Sequence, residues 1–151
     1  MSIEKDIRQN RKFRNNRHKA IVNLVFTHGW LKEKLQELFA REDISMQQYN
    51  ILRILRGSTV PISTLEIRER MLDKMSDTSR IVDRLLTKKL VKKNTNKVDK
   101  RLVDVSITSK GKKILLKLDA YSSEMDEIAK NLTEEEANIL NNLLDKLRIS
   151  D

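Results

Sequence analysis

Cysteine is absent from this 151-residue chain, which excludes a disulfide framework, thiolate metal sites and thiol-based redox sensing. Proline occurs once and glycine three times, so flexible joints are few. Gly29, Gly57 and Gly111 stand alone, and no glycine-rich phosphate loop can be built from them. Long apolar runs are also lacking. Ile21 to Phe26 is broken by Asn23 and falls far short of the ~20 residues that span a bilayer. The first twenty residues contain no apolar stretch of the kind that marks a secretory signal. The expectation is a cytoplasmic protein with no membrane partner. Catalysis finds no support: neither histidine has an evident carboxylate-and-nucleophile arrangement, and Glu134-Glu135-Glu136 reads as the acidic first turn of a helix. His18 and His28 lie on different faces of one helix, so no metal site is expected, and no cofactor.

Positive charge is abundant. The formal net charge is +9, which makes a polyanion the first partner to consider. Residues 1–20 carry seven basic and two acidic side chains, 21–60 five and four, 61–110 thirteen and seven, and 111–151 six and nine. The basic excess is therefore confined to an N-terminal arm and to the segment 61–110. In the arm, Arg8, Arg11, Lys12, Arg14 and Arg17 read first as a disordered solubilising tail and second as phosphate contacts.

Helical periodicity runs through most of the chain. Ile21, Leu24, Val25, Leu31, Leu35, Leu38 and Phe39 recur at spacings of three and four, predicting a long amphipathic helix from about Lys19 to Ala40. Ser45 with Gln48, Ser63 with Glu66, and Thr133 with Glu136 have capping-box spacing and predict helix starts. The helices that follow run from about Met46 to Arg56, from Ser63 to about Met71, and through Ala137, Leu140, Leu144 and Leu147. Ser76 or Asp77 can cap another helix, Thr78 to Lys89, whose Ile81, Val82, Leu85 and Leu86 leave Arg80, Arg84 and Lys88 as a row on another face. Thr108 is expected to open one helix through about Asn131.

One stretch departs from that pattern. Val103-Asp104-Val105-Ser106-Ile107 alternates strictly, predicting a strand from about Arg101 to Ile107 with its valines and isoleucine inward and Asp104 and Ser106 toward water. Val91 to Asn94 supplies its partner across a polar, lysine-rich turn. Two short helices joined by a tight turn, the second with a basic row, followed by a β-hairpin, spell a winged helix-turn-helix. A helix fits the ~12 Å wide major groove, and a basic hairpin tip can lie on phosphates or in the minor groove.

Four motifs sharpen this. Thr78 to Leu85, Lys88 to Lys93, Asp99-Lys100-Arg101, and Ile107-Thr108-Ser109-Lys110-Gly111 resemble the recognition helix, first wing strand, wing tip and wing exit of MarR-type transcriptional regulators. The order of elements is similar over nearly the whole chain. Lys89 is a departure, because the family usually has glycine there to end the helix in a left-handed conformation.

The resemblance implies a mainly α fold with a small β-hairpin wing (α+β): a winged helix-turn-helix lobe over 45–110 and a helical dimerisation lobe from 1–44 and 111–151. It implies a homodimer that binds double-stranded DNA specifically at a pseudo-palindromic operator, commonly as a repressor released by an effector. Candidate DNA contacts are Ser76, Asp77, Thr78, Ser79, Arg80, Arg84 and Lys88 of the recognition helix and its start, with Lys97, Lys100 and Arg101 of the wing. Asp99 would orient Arg101, and Asp83 is expected to pair within the protein, since a carboxylate facing phosphates is repelled. A small aromatic or phenolic effector would find Phe26, His28, Trp30 and Tyr49, although rings on a helix stripe are mostly core. Two other readings stay open at this point: a winged-helix module whose basic face meets an acidic protein, and a sequence-blind nucleic-acid binder.

Overall fold

A computed structural model describes residues 2–96 and 103–149. The chain opens with a single turn, α1 (Ile3–Asp6), and then the long α2 (Asn16–Ala40). Next come α3 (Met46–Arg56), the two-residue β1 (Ile62–Ser63), α4 (Thr64–Arg70) and α5 (Thr78–Thr87). The hairpin strands are β2 (Val91–Thr95) and β3 (Val103–Ile107), followed by α6 (Ser109–Asp119), α7 (Ser122–Glu127) and α8 (Glu134–Leu147). Among the described residues no helix is long and apolar enough to cross a membrane.

All three capping boxes form as the spacing predicts, with both reciprocal bonds present at Ser45/Gln48, Ser63/Glu66 and Thr133/Glu136. Each satisfies backbone amides that the first helical turn leaves free, which is why these helix starts are sharp. The strands pair antiparallel in the order β1-β3-β2, with Val105 opposite both Ile62 and Lys93.

One core gathers the middle of the chain. Ile51, Leu52 and Leu55 of α3 meet Ile67 of α4, Val82 and Leu85 of α5, Val91 and Val105 of the sheet, and Leu115 and Leu118 of α6. Phe39 joins from the end of α2 and stacks on Tyr49 at 4.4 Å between ring centroids. The terminal helices contribute little to it. No residue of α8 is buried, and α2 buries only Leu38 and Phe39.

Four expectations are corrected. The strand β1 escaped prediction because two residues carry no alternation. The helix expected through Asn131 breaks after Asp119: Tyr121 sits at φ −92°, ψ 10° and packs on the core, and a new helix starts at Ser122. Val103 is exposed rather than inward, because its rung opposite Thr95 lies beyond the core. Ser106, opposite Lys92 of β2, is only half exposed, and its hydroxyl is buried with no hydrogen-bond partner among the described residues.

Candidate nucleic-acid interface

The helix α5 is pinned from one side only. Val82 and Leu85 are fully buried, while Ser79, Arg80, Asp83, Arg84 and Thr87 are exposed. Its start is fixed by Asp77, whose carboxylate accepts the Arg80 backbone N–H at 3.1 Å, and Ser76 is occupied by a 2.8 Å bond from its hydroxyl to the Asp73 carbonyl. Thr78 turns inward at 5% exposure, its hydroxyl without a partner among the described residues. Ser79, Arg80 and Arg84 are thus left with exposed side chains and no intramolecular partner among the described residues.

Two charges beside this row are neutralised internally. Asp83 takes the Lys93 ammonium of β2 at 2.5 Å, the internal pairing expected of it, so no bare carboxylate interrupts the arginines. Lys88 leaves the row: its ammonium bonds Asp43, at 2.9 Å to the carboxylate and also to the backbone carbonyl. Asp43 reaches it from a left-handed turn at φ 52°.

The wing is locked to the end of α5 by backbone geometry. Leu90 N–H donates to the Leu85 carbonyl and Lys89 N–H to the Leu86 carbonyl, both at 2.9 Å, the paired bonds of a Schellman motif. Lys89 adopts φ 59°, so the turn that glycine usually makes forms here with a lysine in the left-handed region. Thr108 closes the other side. Its N–H donates to the Leu90 carbonyl at 3.0 Å, its hydroxyl donates to the Lys89 carbonyl at 2.9 Å, and it accepts Gly111 N–H at 3.1 Å. The Lys110 ammonium reaches the Lys88 carbonyl at 3.0 Å. Gly111 is there because nothing larger fits: a Cβ would lie 2.4 Å from the Leu90 carbonyl oxygen and 2.8 Å from Ile107. The Thr-x-Lys-Gly sequence is therefore the clamp that holds the wing base against the helix end. Lys97, Asp99, Lys100 and Arg101 lie outside the described residues; at the last described rungs Asn96 donates to Asp104 at 2.8 Å.

Sequence reasoning missed the surface just before α5. Met75 is 94% exposed, and it shares a cavity of about 490 Å³ with Leu65 and Arg68 of α4 and with Ser76 to Ser79. Exposed apolar residues carry no periodic signal, so nothing in the sequence pattern marks them. A second cavity, about 510 Å³, lies between the end of α2, the start of α3 and the inner edge of α5, with Gln36, Asp43, Gln48, Arg84 and Lys88 on its walls.

In the N-terminal arm Ile3 is buried and Glu4 pairs with Lys19 of α2 at 2.6 Å, a contact that holds the Glu4 carboxyl below its usual range. Arg8, Arg11, Lys12, Arg14 and Arg17 remain exposed. The four aromatic candidates do not converge. Phe26 and Trp30 share an exposed face of α2, His28 points elsewhere on the same exposed stretch, and Tyr49 is taken up by Phe39 and by Arg53, 5.9 Å from its ring centre. None of them lines either cavity.

Helix, tight turn, helix with a basic outer face, and wing define a winged helix-turn-helix protein. Solved structures of similar fold carry the assignment further. A serine-for-cysteine mutant of MarR from E. coli, complexed with operator DNA, is 25% identical with a TM-score of 0.80, covering 91% of this chain and 100% of that one. A MarR-like transcription regulator from Bacillus cereus is also 25% identical, with a TM-score of 0.79 over 88% of this chain and 96% of that one. An organohalide-sensing transcriptional regulator in its 2,4-dichlorophenol-bound form has a TM-score of 0.81 over 93% of this chain and 86% of that one; at 18% identity the likeness is one of fold. No family model matches the chain, and no curated protein does. The chain is similar in fold, over most of its length, to MarR-like transcription regulators.

Proposed function

We propose that this protein is a homodimeric regulator that binds a pseudo-palindromic double-stranded operator in a sequence-specific way, and that it acts as an effector-responsive repressor. The observation that carries the proposal is the face of α5, where Arg80 and Arg84 stand exposed with no partner among the described residues while the neighbouring Asp83 is neutralised by Lys93. Free guanidinium groups on a helix held rigidly from behind can grip guanine edges or phosphate oxygens in two places at once, and little side-chain order is lost elsewhere on binding. The operator complex of the E. coli relative supports the DNA partner, and the dichlorophenol complex supports a small phenolic effector. Residues 45–110 form the DNA-reading lobe in this proposal, with 1–44 and 111–151 joining two copies. A two-fold axis would place the two α5 helices in successive major grooves, roughly 34–36 Å apart. An effector that binds between the lobes would act by changing that spacing.

Selection of bound duplexes from a random library, followed by footprinting of the winners, tests this directly. The expected result is a two-fold site with half-sites about 10 base pairs apart and a dissociation constant of roughly 10⁻⁸ M or tighter. Arg84→Ala should weaken the selected site by about 1–3 kcal/mol and random duplexes by less. Equal affinity for selected and random duplexes at moderate salt would refute sequence-specific regulation and leave the sequence-blind reading. Unchanged DNA affinity in both Arg84→Ala and Arg101→Ala would point to the protein-partner reading.

A further inference from the structure

We infer that Met75, backed by Leu65, reads the C5-methyl group of a thymine in each half-site, which makes it a specificity-determining residue; the inference rests on the DNA-binding reading above. Apolar side chains are concentrated where a polyanion binder has least reason to expose them. Met75 is 94% exposed and Leu72 83% in the turn between α4 and α5, and Leu65 of α4 is 57% exposed, while Ile67 of α4 and Val82 and Leu85 of α5 are fully buried. The exposure is built into the turn. Asp73 accepts the Met75 N–H on its carboxylate at 3.1 Å, and its carbonyl accepts both the N–H and the hydroxyl of Ser76, at 3.3 and 2.8 Å. That turn presents Met75 two residues before the Asp77 cap, at the same end of α5 as Ser79 and Arg80.

Its place beside the proposed interface decides what covers it. The cavity that holds Met75 also holds Arg68, the Asp77 cap and Ser79, and Arg80 follows on the exposed face of α5 that the DNA-binding reading sets against the duplex. In the major groove the isolated apolar feature is the thymine methyl, beside the O4 acceptor. Ser79, exposed and without a partner among the described residues, supplies a hydroxyl donor at the same mouth. A methionine suits the contact because its flexible, polarisable chain fits a methyl group without demanding one backbone geometry.

The test uses the full-length protein and duplexes selected from the random library, with each thymine replaced singly by deoxyuridine, which removes only the methyl. In wild type, one thymine per half-site should cost about fourfold in affinity when replaced, the worth of one buried methyl. Met75→Leu should keep that penalty, and Met75→Ala should reduce it below twofold at that position alone. Thermal melting of each variant checks that the exposed site leaves the fold unchanged. Undiminished penalties in Met75→Ala at every thymine, or silence at every thymine in wild type, overturn the inference while leaving specific DNA binding intact; the second outcome is also what a protein partner on this patch would give. Absence of any preference over random duplexes overturns both readings together.

Discussion

At the scale of single residues, the two positions that hold the wing base pull in opposite directions. Gly111 is required by contact: its amide sits under Thr108 and its missing Cβ is the space occupied by the Leu90 carbonyl. Gly111→Ala must push a backbone oxygen aside, and overpacking of this kind costs about 1–3 kcal/mol, to be read as a lower midpoint in chemical denaturation. Lys89 is the converse, an L-residue at φ 59° where the Schellman turn favours glycine. Relief of the left-handed strain, offset by the larger unfolded-state freedom of glycine, should make Lys89→Gly more stable by roughly 0.5–1 kcal/mol in the same assay. The motif Thr108-Ser-Lys-Gly was visible in the sequence as a string, but its reason was not. The reason is a three-dimensional approach between residues twenty-one apart, and no local periodicity encodes it.

Among the elements, charged pairs join α6 and α7 to α3 and the end of α2. Asp119 accepts two bonds from the Arg56 guanidinium, at 2.5 and 3.1 Å, with Arg53 3.7 Å away. Arg41 grips Glu124 with two bonds of 2.9 Å and lies 5.0 Å over the Tyr121 ring, and Lys117 reaches Glu42 at 2.9 Å. These pairs cross the joint at which α6 gives way to α7, so they tie the proposed DNA-reading lobe to the terminal helices. The Arg56 guanidinium holds the Asp119 carboxyl below its usual range, and Arg41 does the same for Glu124. A carboxyl whose folded pKa is depressed contributes stability that is complete above its unfolded pKa and is lost as pH falls through the folded value. Asp119→Asn should therefore be less stable near neutrality, by about 0.5–1 kcal/mol for so exposed a pair, and should lose less stability than wild type below the ordinary carboxylate range. Denaturation midpoints measured from pH 6 down to pH 2 check both signs. Helix starts at this scale were legible because a capping box is written in residues three apart. The α6–α7 break was not legible, since it depends on partners in α2 and α3 that periodicity cannot name. The basic row was legible as spacing, yet only the structure shows Lys88 drawn away to Asp43 and Asp83 silenced by Lys93.

Over the whole molecule, the imbalance between a well-filled core and greasy terminal helices demands a partner surface. Val25 is 69% exposed on α2, with Ile21, Phe26 and Trp30 also exposed along it, and α8 exposes Ile139, Leu143 and Leu147 without burying one residue. Soluble monomers rarely leave so many large apolar side chains in water on two helices, whereas a two-fold dimer covers the same patch on both copies at once. The proposed homodimer follows from this, and the operator reading depends on it, because two recognition helices gain from the effective concentration that the dimer supplies. Leu143→Glu combined with Leu147→Glu places like charges on the patch and leaves the buried core untouched. Sedimentation equilibrium should show twice the chain mass for wild type and the single-chain mass for the variant, with circular dichroism retaining most of its helical signal. Affinity for a full two-half-site duplex should fall by about 10²-fold or more, and affinity for an isolated half-site should change little. A variant that stays dimeric, or a wild type that sediments as one chain, would move the dimer surface off α8 and reassign the exposed leucines to some other contact.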